Sequence, residues 1–280
     1  MGLTNMTDDR LIDDVVAAEA DDEQDADDAV EAEPEGLVDE HSACVAIEAL
    51  QEPLMAAAPL MAGAMTSISK LDGVPLFFAR GVAPRPQTFS VEPGFRDVLE
   101  RTVRTVRRRA PQSFGELKRI TCAGVLVAKP GFHGLGRAFD HDEWRFENVA
   151  IRPIARDHAA ADLARRQRYW ALAALMRARS AFVLHGHFNA AHEDHIHQDN
   201  GGPRPFTTGS EATVKLVQAV CNHIYGASLA IDGAFGQKSQ GAAREAMQRV
   251  HLAGDIADPV QWTRFLLRSG RLGFDLSINP

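Results

Sequence analysis

The sequence predicts an α+β fold: short strands and amphipathic helices first, then a unit of three helices, all behind an acidic, mostly disordered arm. Three patterns carry that expectation. Residues 1–50 contain 17 of the chain's 38 acidic residues and one of its 30 basic ones. "ITCAGVLVAK" (Ile120–Lys129) is apolar and β-branched, as a strand requires, whereas "GFRDVLERTVRTVRRR" (Gly94–Arg109) spaces its apolar residues for a helix. "NGGPRPFTTGS" (Asn200–Ser210) then interrupts the pattern with Gly and Pro, and three helical patterns follow it.

Residues 1 to about 45 combine charge repulsion with little apolar surface, so disorder is expected there. Residues 46–68 read as a weak helix or a linker, and 1–69 together make an arm. Its opening, "MGLTNMTDDRLIDDVV", has neither the basic nor the apolar region of a signal peptide, so synthesis in the cytoplasm is expected. "PLMAAAPLMAGAM" (Pro53–Met65) is too short to cross a bilayer and contains Pro59, so no membrane span is expected.

Residues 70–203 read as the first domain. The helix at 94–109 turns Phe95, Val98, Leu99, Val103 and Val106 inward and its arginines to solvent. The strand at 120–129 runs into a Gly-rich loop, "KPGFHGLGRAFD", and then another strand. "HAAADLARRQRYWALAALMRARS" (His158–Ser180) reads as a long amphipathic helix, and "AFVLHGHF" as a further strand or a strand-like approach to a histidine cluster. Residues 207–280 read as a second domain, with helices at Glu211–Tyr225, Lys238–Val250 and Pro259–Ser269.

Residues 51–280 carry 21 acidic and 29 basic residues, so the body is basic although the whole chain has a formal net charge of -8. Such a body suits an anionic partner: nucleic acid, anionic lipid or bacterial cell wall. The arginines of 101–109 lack interleaved aromatics or a recognition motif, so nucleic acid is not the expected partner. Cys44, Cys122 and Cys221 are odd in number and form no C-x-x-C pair. Reduced, buried thiols are expected.

The chemistry concentrates in two segments. "FNAAHEDHIHQDN" (Phe188–Asn200) crowds three histidines and three acidic residues together. Alternation puts His195 and His197 on one face of a strand. Upstream, "HGLGRAFD" places His133 and Asp140 around Gly134, Gly136 and Ala138, small residues that let the backbone turn closely around an ion. Two imidazoles and one carboxylate are a common way to hold a catalytic zinc, leaving a fourth position for water. His133, Asp140 and His197 are the expected ligands. Asp194 is the expected base, His195 the group that stabilises the oxyanion or protonates the leaving amine, and His192 a substrate contact or supporting residue. His185 and His187 form a second H-x-H and stand as the alternative metal pair. His141 reads as a loop residue.

"KPGFHGLGRAFD" resembles the H-x-x-G-x-A-x-D motif of the D-Ala-D-Ala carboxypeptidase and murein endopeptidase group of zinc peptidases. "FNAAHEDHIHQD" resembles the closing motif of the extensin-like C-terminal domain, a bacterial branch of the same fold group. The resemblance covers about residues 115–200. It implies a small antiparallel sheet with flanking helices, the same three zinc ligands, and Asp194 as base. Relatives often carry Ser or Thr where this chain has Gly131. They also use an upstream Arg for the substrate carboxylate, for which Arg119 and Lys129 are the candidates.

The last 70 or so residues resemble the three-helix peptidoglycan-binding domain, through Val214–Gln218, "IDGAFGQKSQGAA" (Ile231–Ala243) and Trp262. Asp232, Phe235 and Gln237 are the candidate wall contacts. Together the two resemblances imply a zinc-dependent peptidoglycan hydrolase that cuts stem peptides or cross-links. The alternative is a non-catalytic wall-binding protein with a structural metal. Phage endolysins and injected antibacterial effectors share the lack of a signal peptide, so action at the wall or periplasm after export or injection is expected. The acidic arm then reads as a docking segment for a delivery apparatus or an immunity protein, or as a solubilising tail.

Overall fold

The computed structural model describes residues 65–129, 131–199 and 204–275. The readings of residues 1–64, Cys44 included, lie outside these. Five short strands come first: β1 (Thr66–Ile68), β2 (Lys70–Leu71), β3 (Val74–Phe78), β4 (Arg85–Pro86) and β5 (Phe89–Val91). β1 pairs with β5, so part of the expected linker is a strand. Helix α1 (Pro93–Arg109) follows. Glu92 caps it by accepting from the Gly94 and Phe95 amides, Pro93 opens it, and Arg107–Arg109 sit in its last turn. Phe95, Val98, Leu99, Val103 and Val106 are buried, as their spacing requires.

Next come β6 (Leu117–Cys122), β7 (Ala138–Phe146), β8 (Ala150–Ile151), helix α2 (Leu163–Arg177), β9 (Phe182–Leu184) and β10 (Ile196–Asp199). The larger sheet runs β2-β3-β6-β7-β10-β9, with β4 on β3 and β8 on β7. It is mixed rather than purely antiparallel, because β3 and β6 are parallel, Leu76 opposite Ile120. The physical reason is the crossover: α1 carries the chain back before β6 starts, as parallel neighbours require. β6 stops at Cys122, short of the expected Lys129. Ala123 donates to the Asp140 carbonyl and Asp140 to that of Gly124; the chain then leaves the ladder. Leu126 and Val127 consequently lie exposed.

Helix α2 begins at Leu163 rather than His158. Residues 157–159 form a separate 3-10 turn, and Asp162 caps the helix. Every residue from Tyr169 to Met176 is buried, so the helix is enclosed rather than amphipathic along that stretch. Helices α3 (Glu211–His223), α4 (Gln237–Arg249) and α5 (Pro259–Phe274) complete the chain. α5 packs closely on α2: a Cβ added at Gly270 would lie 2.4 Å from Leu175 Cδ2, and one at Gly273 2.9 Å from the Ala171 Cβ. α5 runs past Ser269 because Phe274 is buried, its ring 5.4 Å from that of Phe114. One hydrophobic cluster extends from Ile68 to Phe274, joining the sheet to the three last helices. Cys122 and Cys221 are free thiols within it.

A polar strut ties the sheet to the helices. His141 is not a loop residue but a fully buried member of β7. Its Nε2 bonds Gln198 Oε1 at 2.9 Å, and its Nδ1 accepts from Trp144 Nε1 at 3.2 Å. Gln198 in turn donates to Thr102 Oγ1 of α1 and to Ser180 Oγ. Satisfied buried networks of this kind fix one packing arrangement.

Candidate metal centre

The β10–β7 ladder sets His197 directly opposite Asp140. Cross-strand partners project to the same face, here the one away from α1. His133 arrives from a 3-10 turn, Phe132–Leu135. Two glycines make that turn possible. A Cβ at Gly134 would lie 2.2 Å from the Lys129 carbonyl oxygen, and Gly136 has φ +65°, a left-handed conformation. The result brings His133 Nε2 to 3.2 Å and His197 Nδ1 to 2.9 Å from Asp140 Oδ1.

Hydrogen bonds on the far side of each ring assign the tautomers. His133 Nδ1 faces the Val125 carbonyl at 2.7 Å, which only accepts, so Nδ1 carries a proton and Nε2 is turned to Asp140. His197 Nε2 faces the buried Asp199 carboxylate at 3.0 Å, which directs Nδ1 to Asp140. Carboxylate or carbonyl backing of this kind orients metal-ligating histidines. Ligand atoms of His133, Asp140 and His197 all lie within 4.8 Å of one another, and the three can hold a metal ion. Among the described residues this is the group with that property. Without a cation the charges are shared by protons. Burial opposes charge on Asp140, but the bonds from His133 and His197 outweigh it and hold the carboxyl well below its usual range. Burial likewise opposes charge on His197, yet Asp140 and Asp199 on either side keep it protonated up to about 10.

A second group flanks the first. His195 Nδ1 lies 2.9 Å from Asp194 Oδ1, and its Nε2 lies 3.6 Å from Asp140 Oδ1. Asp194 is also paired with Arg80 Nη1, which holds its carboxyl down at about 2. Arg80 forms two further bonds to Asp142, at 2.9 and 2.6 Å. Asp142 lies two residues beyond Asp140 in β7, so strand alternation turns it to the same face. The register steps from Thr121↔Glu143 to Cys122↔His141, leaving Asp142 as the extra residue. Arg80 and Asp142 were absent from the sequence expectation. Arg80 sits in an ordinary-looking loop, whereas the two-residue spacing of Asp140 and Asp142 on a strand was a signal that could have found Asp142.

His192 does join the site: its ring lies 5.1 Å from that of His195 and 5.8 Å from that of His197. Arg119 pairs with Glu143 at 3.0 Å and lies over the Phe77 ring, while Lys129 is exposed. Neither is paired with the ligand group. The alternative pair is engaged elsewhere. His185 bonds the Ala212 carbonyl, and His187 stacks on Trp170 at 5.1 Å. In the helical unit, Asp232 accepts from Gln218 Nε2 and from the Ala234 amide, fixing its turn. Phe235 packs on Phe206 at 4.7 Å, and Gln237 is exposed. No described helix is long and apolar enough to cross a membrane.

Comparison of the chain with protein-family models, with curated proteins and with solved structures finds no match.

Proposed function

We propose that the chain is a zinc-dependent peptidase that cuts amide bonds in the stem peptides or cross-links of peptidoglycan. The observation that carries this is the pairing of two groups. Ligand atoms converge from His133, Asp140 and His197, and beside them a fourth ring, His195, keeps Nε2 directed at the same point. Two nitrogens and one carboxylate oxygen suit zinc and leave a coordination position open. When bound there, zinc would supply a nucleophilic water at neutral pH and polarise the scissile carbonyl.

The residues then divide the work. His133 and His197 present neutral nitrogens fixed by Val125 and Asp199. His195 takes the proton from the attacking water at Nε2 and returns it to the leaving amine. Asp194 holds the opposite nitrogen, Nδ1, and supports the imidazolium that forms. The geometry favours this over Asp194 as direct base. Both of its oxygens are engaged, and a carboxyl at about 2 is poorly matched to proton transfer at neutral pH. The wall as substrate is supported by the two motif resemblances and the basic body. In this reading α3–α5 keep the enzyme on the polymer and raise its local concentration.

The test is release of new amino groups from purified sacculi by the zinc-loaded chain. Release lost on chelation and in His195→Ala supports the reading. Pelleting with sacculi, zinc bound and no amine released would leave a binding protein with a structural metal.

A further inference from the structure

We infer that Arg80 and Asp142 are positioning residues, in which Asp142 clamps the Arg80 guanidinium and Arg80 sets the Asp194 carboxylate that orients His195. Its consequence for turnover rests on the peptidase reading; its geometry does not.

Asp142 is fully buried, and a buried carboxylate needs a partner. Arg80 supplies it twice, Nε to Oδ2 and Nη2 to Oδ1, a fork that fixes the guanidinium plane. The fork leaves Nη1 for Asp194 Oδ2, with Nη2 also 3.4 Å from Asp194 Oδ1 and from its backbone carbonyl. Asp194 then has one oxygen left to receive His195 Nδ1–H, and His195 Nε2 points at the ligand carboxylate. The charges are consistent with this role. Two carboxylates around one guanidinium leave one net negative charge, so Arg80 orients Asp194 without cancelling the charge that supports an imidazolium. A direct substrate ligand would behave differently. Nε and Nη2 are held by Asp142 and one N–H of Nη1 by Asp194, so an anion would find a single N–H of Nη1 rather than a fork. Lysine cannot replace the fork, since an ammonium is a point charge.

The two roles separate by experiment. Imidazole ¹⁵N shifts of His195 would be recorded in the zinc-loaded full chain, in wild type, Arg80→Gln, Arg80→Lys and Asp142→Asn. His195→Gln assigns the signal, and melting temperatures and zinc content check each fold. The wild type should show one tautomer, Nδ1–H. All three variants should show a mixture, with zinc retained, kcat on sacculus-derived peptides lowered about 100-fold and KM little changed. Arg80 is partly exposed, so the inference does not depend on Asp142→Asn folding. An unchanged His195 tautomer in Arg80→Gln overturns the inference, as does a raised KM with kcat intact. An inactive wild type would sink the peptidase reading instead and leave the tautomer as sole judge of this one.

Discussion

His197 stands between two carboxylates, its Nδ1 2.9 Å from Asp140 Oδ1 and its Nε2 3.0 Å from Asp199 Oδ2. Asp140 can share an ion with it, and Asp199 aims it. Asp199→Asn should therefore lower zinc affinity about 10- to 100-fold, and Asp140→Ala by more, in competition with a chromophoric chelator. Equal affinity in Asp199→Asn and wild type would show that the backing carboxylate is idle.

Zinc binding should release protons. In the metal-free chain His197 stays protonated up to about 10, and a ligating nitrogen must be free. About one proton per zinc should leave at pH 7, and affinity should rise about tenfold per pH unit below that value. Calorimetry in buffers of different ionisation enthalpy reads this directly. Heats that do not depend on the buffer would contradict it.

The division of labour at the second group is separately testable. His195→Ala should lower turnover by about 10² to 10⁴, with zinc still bound. Asp194→Asn should lower it by a smaller factor, because it misorients the base rather than removing it. The reverse order would return the base role to Asp194.

Acid should loosen the joint between α2 and α3. Four imidazoles gather at Trp170: His187 and His223 stack on it, His185 meets it edge-on, and His158 contacts His187. Burial lowers all four, His158 and His223 to about 4 and His185 to about 3, and nearby Arg156, Arg166 and Lys215 add to the effect. Such groups contribute fully above the unfolded value of about 6.5, and that contribution is lost as pH falls below it, by up to about 1.4 kcal/mol per unit for a fully buried ring. His197 has the opposite sign in the metal-free chain, which loses stability as pH rises from about 6.5 towards 10. Denaturant melts of the zinc-loaded chain should thus weaken from pH 7 to 5, and His185→Gln should flatten that slope. Equal midpoints at both pH values would refute the point.

The α2–α5 contact should be intolerant of added volume. Gly270→Ala places a methyl against Leu175 and should cost about 1–3 kcal/mol. Because one hydrophobic cluster spans the sheet and the last helices, the described body should melt in a single transition. Two transitions, with only the later helices affected by Gly270→Ala, would contradict this.

Some of this was legible in the sequence. The ligand group could be read because H-x-H alternation and the glycines around His133 are local signals with direct geometric meaning. Helix α1 could be read because its apolar residues recur at helical spacing. Other features depend on tertiary context. Ile120–Lys129 is apolar throughout, but only its first part finds a ladder partner. The enclosure of α2 depends on α5, far along the chain. Arg80 reaches Asp194 only because the sheet order β3-β6-β7-β10 brings the end of β3 over to Asp142 and Asp194. Histidine pairs look alike in sequence; His185 and His187 differ from His195 and His197 in facing Trp170 rather than Asp140.

The most direct test of the account is a digest of isolated sacculi by the zinc-loaded chain, with soluble products identified by mass. Chelated wild type and His195→Ala run beside it. Peptide-bond products, shortened stems or opened cross-links, absent from both controls, are the result the account predicts. Intact stems after incubation, with zinc bound at His133, Asp140 and His197, would contradict it.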